Sequence, residues 1–298
     1  LSERETRYPM ATLKPELALP GTHASRAAFT RAAATFDAAC FVHDWTRARL
    51  LERLPLLRID PTVIVDLGSA TGRGAGALAQ QFAGARVLAL DTSLAMLAAI
   101  ERARNVAPIA GDAERLPLAS KSATLVLANL VLPWCRPDAF FSELARVLAP
   151  GGALMFATLG PDTLCEVRRA WASADAGIHV HAAFDMHDLG DAAAAAGLAE
   201  PVLDVERMTL RYRDVVDLVR DLRACGAVNT AAGRRKALTG RQRWQAFVQA
   251  LHGARRGERF DVTIEVIFGQ AWGSGTRARA ARGEVVVPLT RVGRRASR

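Results

Sequence analysis

Four polar residues sit at the ends of successive apolar runs: Asp66 after "TVIV", Asp91 after "ARVLAL", Asp112 after "VAPIAG" and Asn129 after "ATLVLA". A single acid in such a place is ordinarily a helix cap. Four of them, brought side by side by a sheet, line one ligand. Between the first two lies a glycine-rich turn in which Gly72, Gly74 and Ala77 fit G-x-G-x-x-A, a weak dinucleotide match. Asp66 argues against a dinucleotide. A pyrophosphate at a helix N-terminus wants backbone N–H groups and no anion beside it, whereas an acid at the mouth of the turn attracts an ammonium. The expected ligand is a nucleoside bearing an amino acid, which is the form of S-adenosylmethionine. Asp91 can accept both ribose hydroxyls. Asp112 can accept a hydrogen bond from the adenine amino group, and Met96 and Leu94 can pack on the ring. Asn129 faces the same crevice. Gly68, Gly72, Thr92 and Ala113 complete the expected cofactor contacts.

The elements that must position these residues are readable as an alternation. Strands are expected at 62–68, 85–91, 106–112, 123–130 and 152–159, with helices at 74–82, 93–103 and 138–148 between them. That order argues for right-handed βαβ crossovers and a parallel sheet covered on both faces. "APGG" (149–152) reads as a turn. Residues 24–54 read as helical, without Gly or Pro. Beyond 160, helices are expected at 163–173, 186–196, 213–225 and 241–252, and strands at 201–212 and 260–272. Residues 1–23 are expected to be a disordered leader and 273–298 a basic tail with an edge strand at "EVVVPL".

The whole chain sets outer bounds. Its 298 residues can bury a full core. No stretch approaches ~20 apolar residues, so no membrane span is expected. The first twenty residues lack the apolar centre of a signal peptide, and Met10 is a plausible start. The four cysteines are far apart without C-x-x-C, which fits a reducing cytoplasm and neither zinc nor a disulfide framework. The net charge of +9 comes almost wholly from arginine. It reads equally as compositional bias and as preference for an acidic partner.

The run "VDLGSATG…LDTSLAML…GDAERLPL…ANLVLPWC…ELARVLAPGGALMFATL" resembles the class I S-adenosylmethionine-dependent methyltransferases. The resemblance implies a doubly wound, mostly parallel, seven-stranded α/β sheet of Rossmann-like type. That family usually has Gly where this chain has Ala70, and a methyl there is expected to crowd the cofactor. "AAFTRAAATFDAA", "LGPDTLCEVRRAW", "FDMHDLGDAAAAAGL", "LVRDLRACGAVNTAAGRRKALTGR" and "IEVIFGQAW" extend the likeness over 24–272 to the malonyl-acyl-carrier-protein O-methyltransferases of biotin synthesis, the BioC family.

The implied reaction moves a methyl from S-adenosylmethionine to the free carboxylate of a malonyl thioester on acyl carrier protein or coenzyme A. A carboxylate is ionised at pH 7 and needs no general base. The site would need a cation to hold the carboxylate and a cover to exclude water. Arg220 and Arg223, on one helical face, are the candidate cations, with Asn229 and Arg234 also matching the family; pairing with Asp217 and Asp221 on a solvated face is the alternative. Residues 24–58 would form a helical lid and 212–258 a helical insertion. Arg31 could reach the cofactor's carboxylate or be an exposed helical arginine. Phe36 stands where the family often has Tyr, and Pro133 where it tends to have Gln, beside Trp134, which is either catalytic or core. No metal is required. His43, His179, His181 and His187 are expected on the surface or in packing.

Three other readings stay open. The region 159–240 also resembles methyltransferase-like complex I assembly factors that hydroxylate an arginine. A non-catalytic cofactor-binding assembly factor is another. Nucleic-acid methylation fits poorly: three residues separate Asn129 from Pro133, so no N-P-P-Y motif forms, and Cys135 follows Trp134 rather than proline.

Overall fold

The computed structural model describes residues 19–101 and 103–275. Seven strands form one sheet in the order β3-β2-β1-β4-β5-β7-β6. They are β1 (Val63–Leu67), β2 (Arg86–Asp91), β3 (Val106–Ala110), β4 (Ala123–Asn129), β5 (Leu148–Leu159), β6 (Ala199–Tyr212) and β7 (Phe260–Trp272). β1 pairs in parallel with β2 and β4, and β7 enters antiparallel between β5 and β6. The mostly parallel α/β sheet inferred from the alternation is therefore the observed one.

The apolar strands are continuous because both faces are covered. Side chains alternate. Val65, Leu67, Leu88 and Leu90 pack with Phe140, Phe141 and Leu144 of α6 (Pro137–Val147) and with Leu189 of α8 (Met186–Ala195). Ile64, Val87 and Ala89 face the other way, onto Leu50 of α3 (Phe41–Arg53) and Leu78 of α4 (Arg73–Gln81). A third cluster joins α7 (Cys165–Ala172), α9 (Val215–Ala224) and α10 (Arg241–Gly253) to the start of β7. The carboxyl ends of β1 and β4 meet where the strand order reverses, which is where open α/β sheets bind ligands.

Several boundaries differ from expectation. The helical run over 24–54 is three helices, α1 (Thr22–Ala32), α2 (Phe36–Ala39) and α3. The chain turns at Thr35, whose hydroxyl donates to Ala32 O and to Ala224 O on α9. The turn lets Phe36 bury against Met96 and Cys225. The helix expected at 93–103 is only α5 (Leu94–Ala98), capped by Ser93. β5 runs through the expected turn at 149–152, with an irregular register against β4. The expected leader boundary is also too late: Pro20 bridges to Ala231 and Gly21 N–H donates to Thr230 O. The edge strand at "EVVVPL" lies outside the described residues.

Candidate active site

β1 ends in Asp66, which is buried, and the chain then turns sharply at Gly68. Gly68 has φ of 68°, and a Cβ there would lie 1.8 Å from Val131 Cγ2, so only glycine serves. Gly74 has a different constraint: a Cβ would sit 2.7 Å from Asp66 Oδ2. Asp66 Oδ2 has no hydrogen-bond partner among the described residues, and burial pushes the carboxyl up to about 7. An orphaned buried carboxylate oxygen is costly and wants a donor or a cation.

Asp91 is oriented by its own turn. It accepts from the N–H of Ala70 at 3.0 Å and of Ser93 at 2.8 Å, and burial raises its pKa. Asp112 Oδ1 accepts from Glu114 N–H at 2.9 Å. Two cavities run along these strand ends. The larger, of about 100 Å³, is lined by Gly68, Asp91, Thr92, Met96, Asp112 and Ala113, and by Phe29, Phe36, His43, Asn129 and Trp134. The smaller, of about 30 Å³, shares Phe36, His43, Gly68, Ala70 and Asn129 and adds Asp66, Arg47 and Arg73. Most of the cofactor residues expected from sequence are thus brought together.

The structure corrects four of those expectations. Leu94 is 70% exposed and lines neither cavity. Gly72, with φ of 85°, faces Ile100 and turns the chain into α4 without lining either cavity. Arg31 is exposed; Arg26, five residues earlier on α1, lines the larger cavity instead. Arg220 pairs with Asp217 at 2.7 Å and is 67% exposed, so the solvated-face alternative holds for it.

Arg223 lines a third cavity, of about 310 Å³, with Trp134, Arg168, Trp171, His179, His181 and Asn229. This cavity meets the 100 Å³ cavity at Trp134, whose ring lies edge-on to Phe29 and His181 at centroid distances of 5.0 and 5.2 Å. Asn229 donates to Ile178 O at 2.6 Å, and Arg234 caps the local turn through Thr230 O and Ala231 O. A fourth, apolar cavity of about 90 Å³ lies between α3 and α9 and reaches His43, Leu130 and Trp134.

α1, α2 and α3 cover the crevice. Ser25 Oγ and Thr230 Oγ1 are 2.9 Å apart, and Thr230 N–H donates to His181 Nε2 at 2.8 Å. Thr71 donates to Asp37 at 2.6 Å, and Arg73 and Arg47 each reach Asp44 at 2.7 Å. Asn129 spends its amide on this cover: Oδ1 accepts from Thr46 at 2.7 Å, and Nδ2 donates to His43 O at 2.9 Å.

Sequence reasoning missed Arg47 and Arg73, and expected His43 only on the surface or in packing, whereas it lines both cavities. His43 and Arg47 are four apart on one face of α3, a readable spacing. Nothing in the sequence says that this face looks onto the crevice. His179 and His181 do pack as expected, His179 stacked 3.8 Å from Trp171.

Comparison with known proteins gives the geometry its family. The domain described as "Methyltransferase domain" matches residues 65–156. The malonyl-[acyl-carrier protein] O-methyltransferase of Laribacter hongkongensis is 45% identical over 267 residues, covering 85% of this chain and 90% of that protein. The chain belongs to this family. The proteins of the same name from Gallionella capsiferriformans and a Methylovorus species are 40% and 42% identical, over 84% and 83% of the chain and 90% and 87% of their own lengths. Among solved structures, the YcgJ protein of Bacillus subtilis shares the fold at a TM-score of 0.53 and 15% identity, covering 76% of this chain and 98% of its own. S-adenosylmethionine, the donor of this methyltransferase, fits the crevice by its chemistry. The unpartnered Asp66 oxygen suits an ammonium, Arg47 and Arg73 suit a carboxylate, and Asp91 and Asp112 suit hydroxyl and amino donors.

Proposed function

We propose that the chain methylates the free carboxylate of a malonyl thioester carried by an acyl carrier protein, as the ester-forming step of biotin synthesis in the cytoplasm, where four unpaired thiols persist. The observation that carries this reading is an adjacency: strand-end acids around a donor crevice and, sharing Trp134 as a wall, a 310 Å³ cavity that can take an acyl arm. The names of the relatives support malonyl as the acyl group.

S-adenosylmethionine, when bound, supplies an electrophilic methyl on a sulfonium. The residues do the rest by binding and exclusion. Asp66 and the Arg47–Arg73 pair hold the amino-acid end. Asp91 and Asp112 hold the nucleoside, and Met96 packs beside it. Phe36 and Trp134 close the crevice against water. α1–α3 act as a lid, and the segment from α9 through α10 as the insertion that shapes the acceptor cavity. The acceptor carboxylate forms the new O–C bond as the C–S bond breaks, and no proton moves. Charge is neutralised along this path, so desolvation favours it. Phe36 lacks the hydroxyl that Tyr would bring; it supplies apolar cover only.

A carrier protein of acidic character fits the rim of the acceptor cavity, where Arg223 stands with Arg234, Arg235 and Lys236 on the following loop. The deciding experiment is methyl transfer from labelled S-adenosylmethionine to malonyl-acyl-carrier protein, with malonyl-coenzyme A and unacylated carrier in parallel. Label on the malonyl carrier that is released by mild base supports the reading. No label despite measured cofactor binding overturns it.

A further inference from the structure

One titratable group lines three of the four cavities and takes no part in the account above. The His43 ring lines the nucleoside crevice, the smaller amino-acid cavity and the apolar cavity between α3 and α9. Its centroid lies 5.0 Å from the Phe36 ring, edge to face. Nδ1 is sealed from solvent and has no hydrogen-bond partner among the described residues.

These facts assign the tautomer. Neutral imidazole carries one N–H. A buried donor without a partner is rarer in proteins than an under-satisfied acceptor. The proton therefore belongs on Nε2, leaving Nδ1 as the bare acceptor. The ring is also neutral near pH 7, since burial pushes its pKa down to about 4.

We propose that His43 is a neutral hydrogen-bond donor to the acceptor carboxylate, holding one carboxylate oxygen in line with the methyl group where the donor crevice meets the apolar cavity between α3 and α9, beside Trp134. This rests on the carboxyl-methyltransferase reading above. A neutral donor suits the chemistry better than an arginine. Negative charge is concentrated on the carboxylate before transfer and dispersed at the transition state. A full cation would stabilise the starting state more than the transition state and so raise the barrier. The surroundings agree. The 90 Å³ cavity is walled by Phe41, Val42, Leu130, Leu218 and Ile264 and carries no Lys or Arg; its one carboxyl, Asp221, accepts from the Tyr212 hydroxyl at 3.1 Å. Arg220 is turned to solvent, and Arg223 lines the outer cavity without lining the crevice. The backbone carbonyl of His43 accepts from Asn129 Nδ2, which ties the ring's position to the end of β4.

The test compares His43→Leu and His43→Gln with the wild-type chain. It measures kcat/KM for malonyl-acyl-carrier protein, and the Kd of S-adenosylhomocysteine by calorimetry. The expected result is a loss of about 30-fold in kcat/KM for His43→Leu, the scale of one hydrogen bond to a charged group. The S-adenosylhomocysteine Kd should stay within about threefold, and His43→Gln, which keeps an N–H donor, should recover most of the rate. Unchanged turnover in His43→Leu would overturn the proposal. So would a parallel loss of S-adenosylhomocysteine affinity, which would make His43 a cofactor group, or a failure of Gln to rescue. If the wild-type chain binds S-adenosylhomocysteine but methylates no malonyl carrier, it is the functional reading that has failed, and the proposal falls with it.

Discussion

At the residue scale, Asp66 holds opposing demands. Its carboxyl is buried beside Gly74 with one oxygen unpartnered, a cost to the ligand-free fold and a gain when an ammonium arrives. The folded pKa, about 7, lies above the ordinary 3.8. Between those values the folded state binds a proton that the unfolded chain does not. The stabilising contribution is therefore complete below about pH 4 and is lost as pH rises to about 7, then levels. Asp66→Asn should remove this component: its melting temperature at pH 8 should exceed that of the wild-type chain, with a smaller difference at pH 5. The same variant should bind S-adenosylhomocysteine tenfold to a hundredfold more weakly, the loss of about 1.5–3 kcal/mol for a charged hydrogen bond. Melting curves and calorimetry read the two effects, which have opposite signs.

Ala70 is a second residue with a readable cost. Its φ of 46° is left-handed, a region that costs a residue with a Cβ roughly 1–2 kcal/mol. Backbone conformation thus explains why glycine is usual at this position, more directly than crowding of the cofactor. Ala70→Gly should raise unfolding free energy by roughly 0.5–1 kcal/mol, after subtracting the extra freedom glycine gains when unfolded. Denaturant titration measures it, and a loss of stability would refute the strain argument.

At the element scale, the N-terminal helices bear on the site because they are tied down at separate points. Thr46 and Asn129 join α3 to β4, Thr30 meets Ser93 at 3.0 Å, and Ser25 meets Thr230. Thr46 is fully buried, so removing its hydroxyl leaves Asn129 Oδ1 without its partner. Thr46→Val should cost about 1–3 kcal/mol of stability. It should also speed S-adenosylhomocysteine release, because α3 carries His43 and Arg47 over the crevice. Stopped-flow displacement would show an unchanged release rate if the α3 tie did not govern the lid.

At the scale of the whole molecule, the net charge of +9 acquires a use only if it is placed where an acidic partner docks. Raising salt from 0.05 to 0.5 M should raise KM for the carrier-linked substrate several-fold more than KM for malonyl-coenzyme A, since screening acts on the extended carrier surface. Equal sensitivity would remove the docking role of the Arg223, Arg234, Arg235 and Lys236 rim.

The alternation of apolar runs and turn residues determined the sheet, its parallel core and the strand-end positions of Asp66, Asp91, Asp112 and Asn129. Those features are local, because a buried strand and its following turn write their periodicity into neighbouring residues. The donor crevice was legible for that reason. The other wall was not. Whether a helical arginine or histidine looks inward depends on the rotation and breakage of helices set by packing far away in sequence. Phe36 on Met96 and Cys225 breaks the first helix, and Asn129 on Thr46 and His43 O fixes the rotation of α3. Arg31 and Arg220 qualify on type and spacing, and the tertiary structure sends both to solvent. It puts Arg26, Arg47, Arg73 and His43 at the cavities instead, because only three-dimensional packing decides which face of an amphipathic helix meets a ligand.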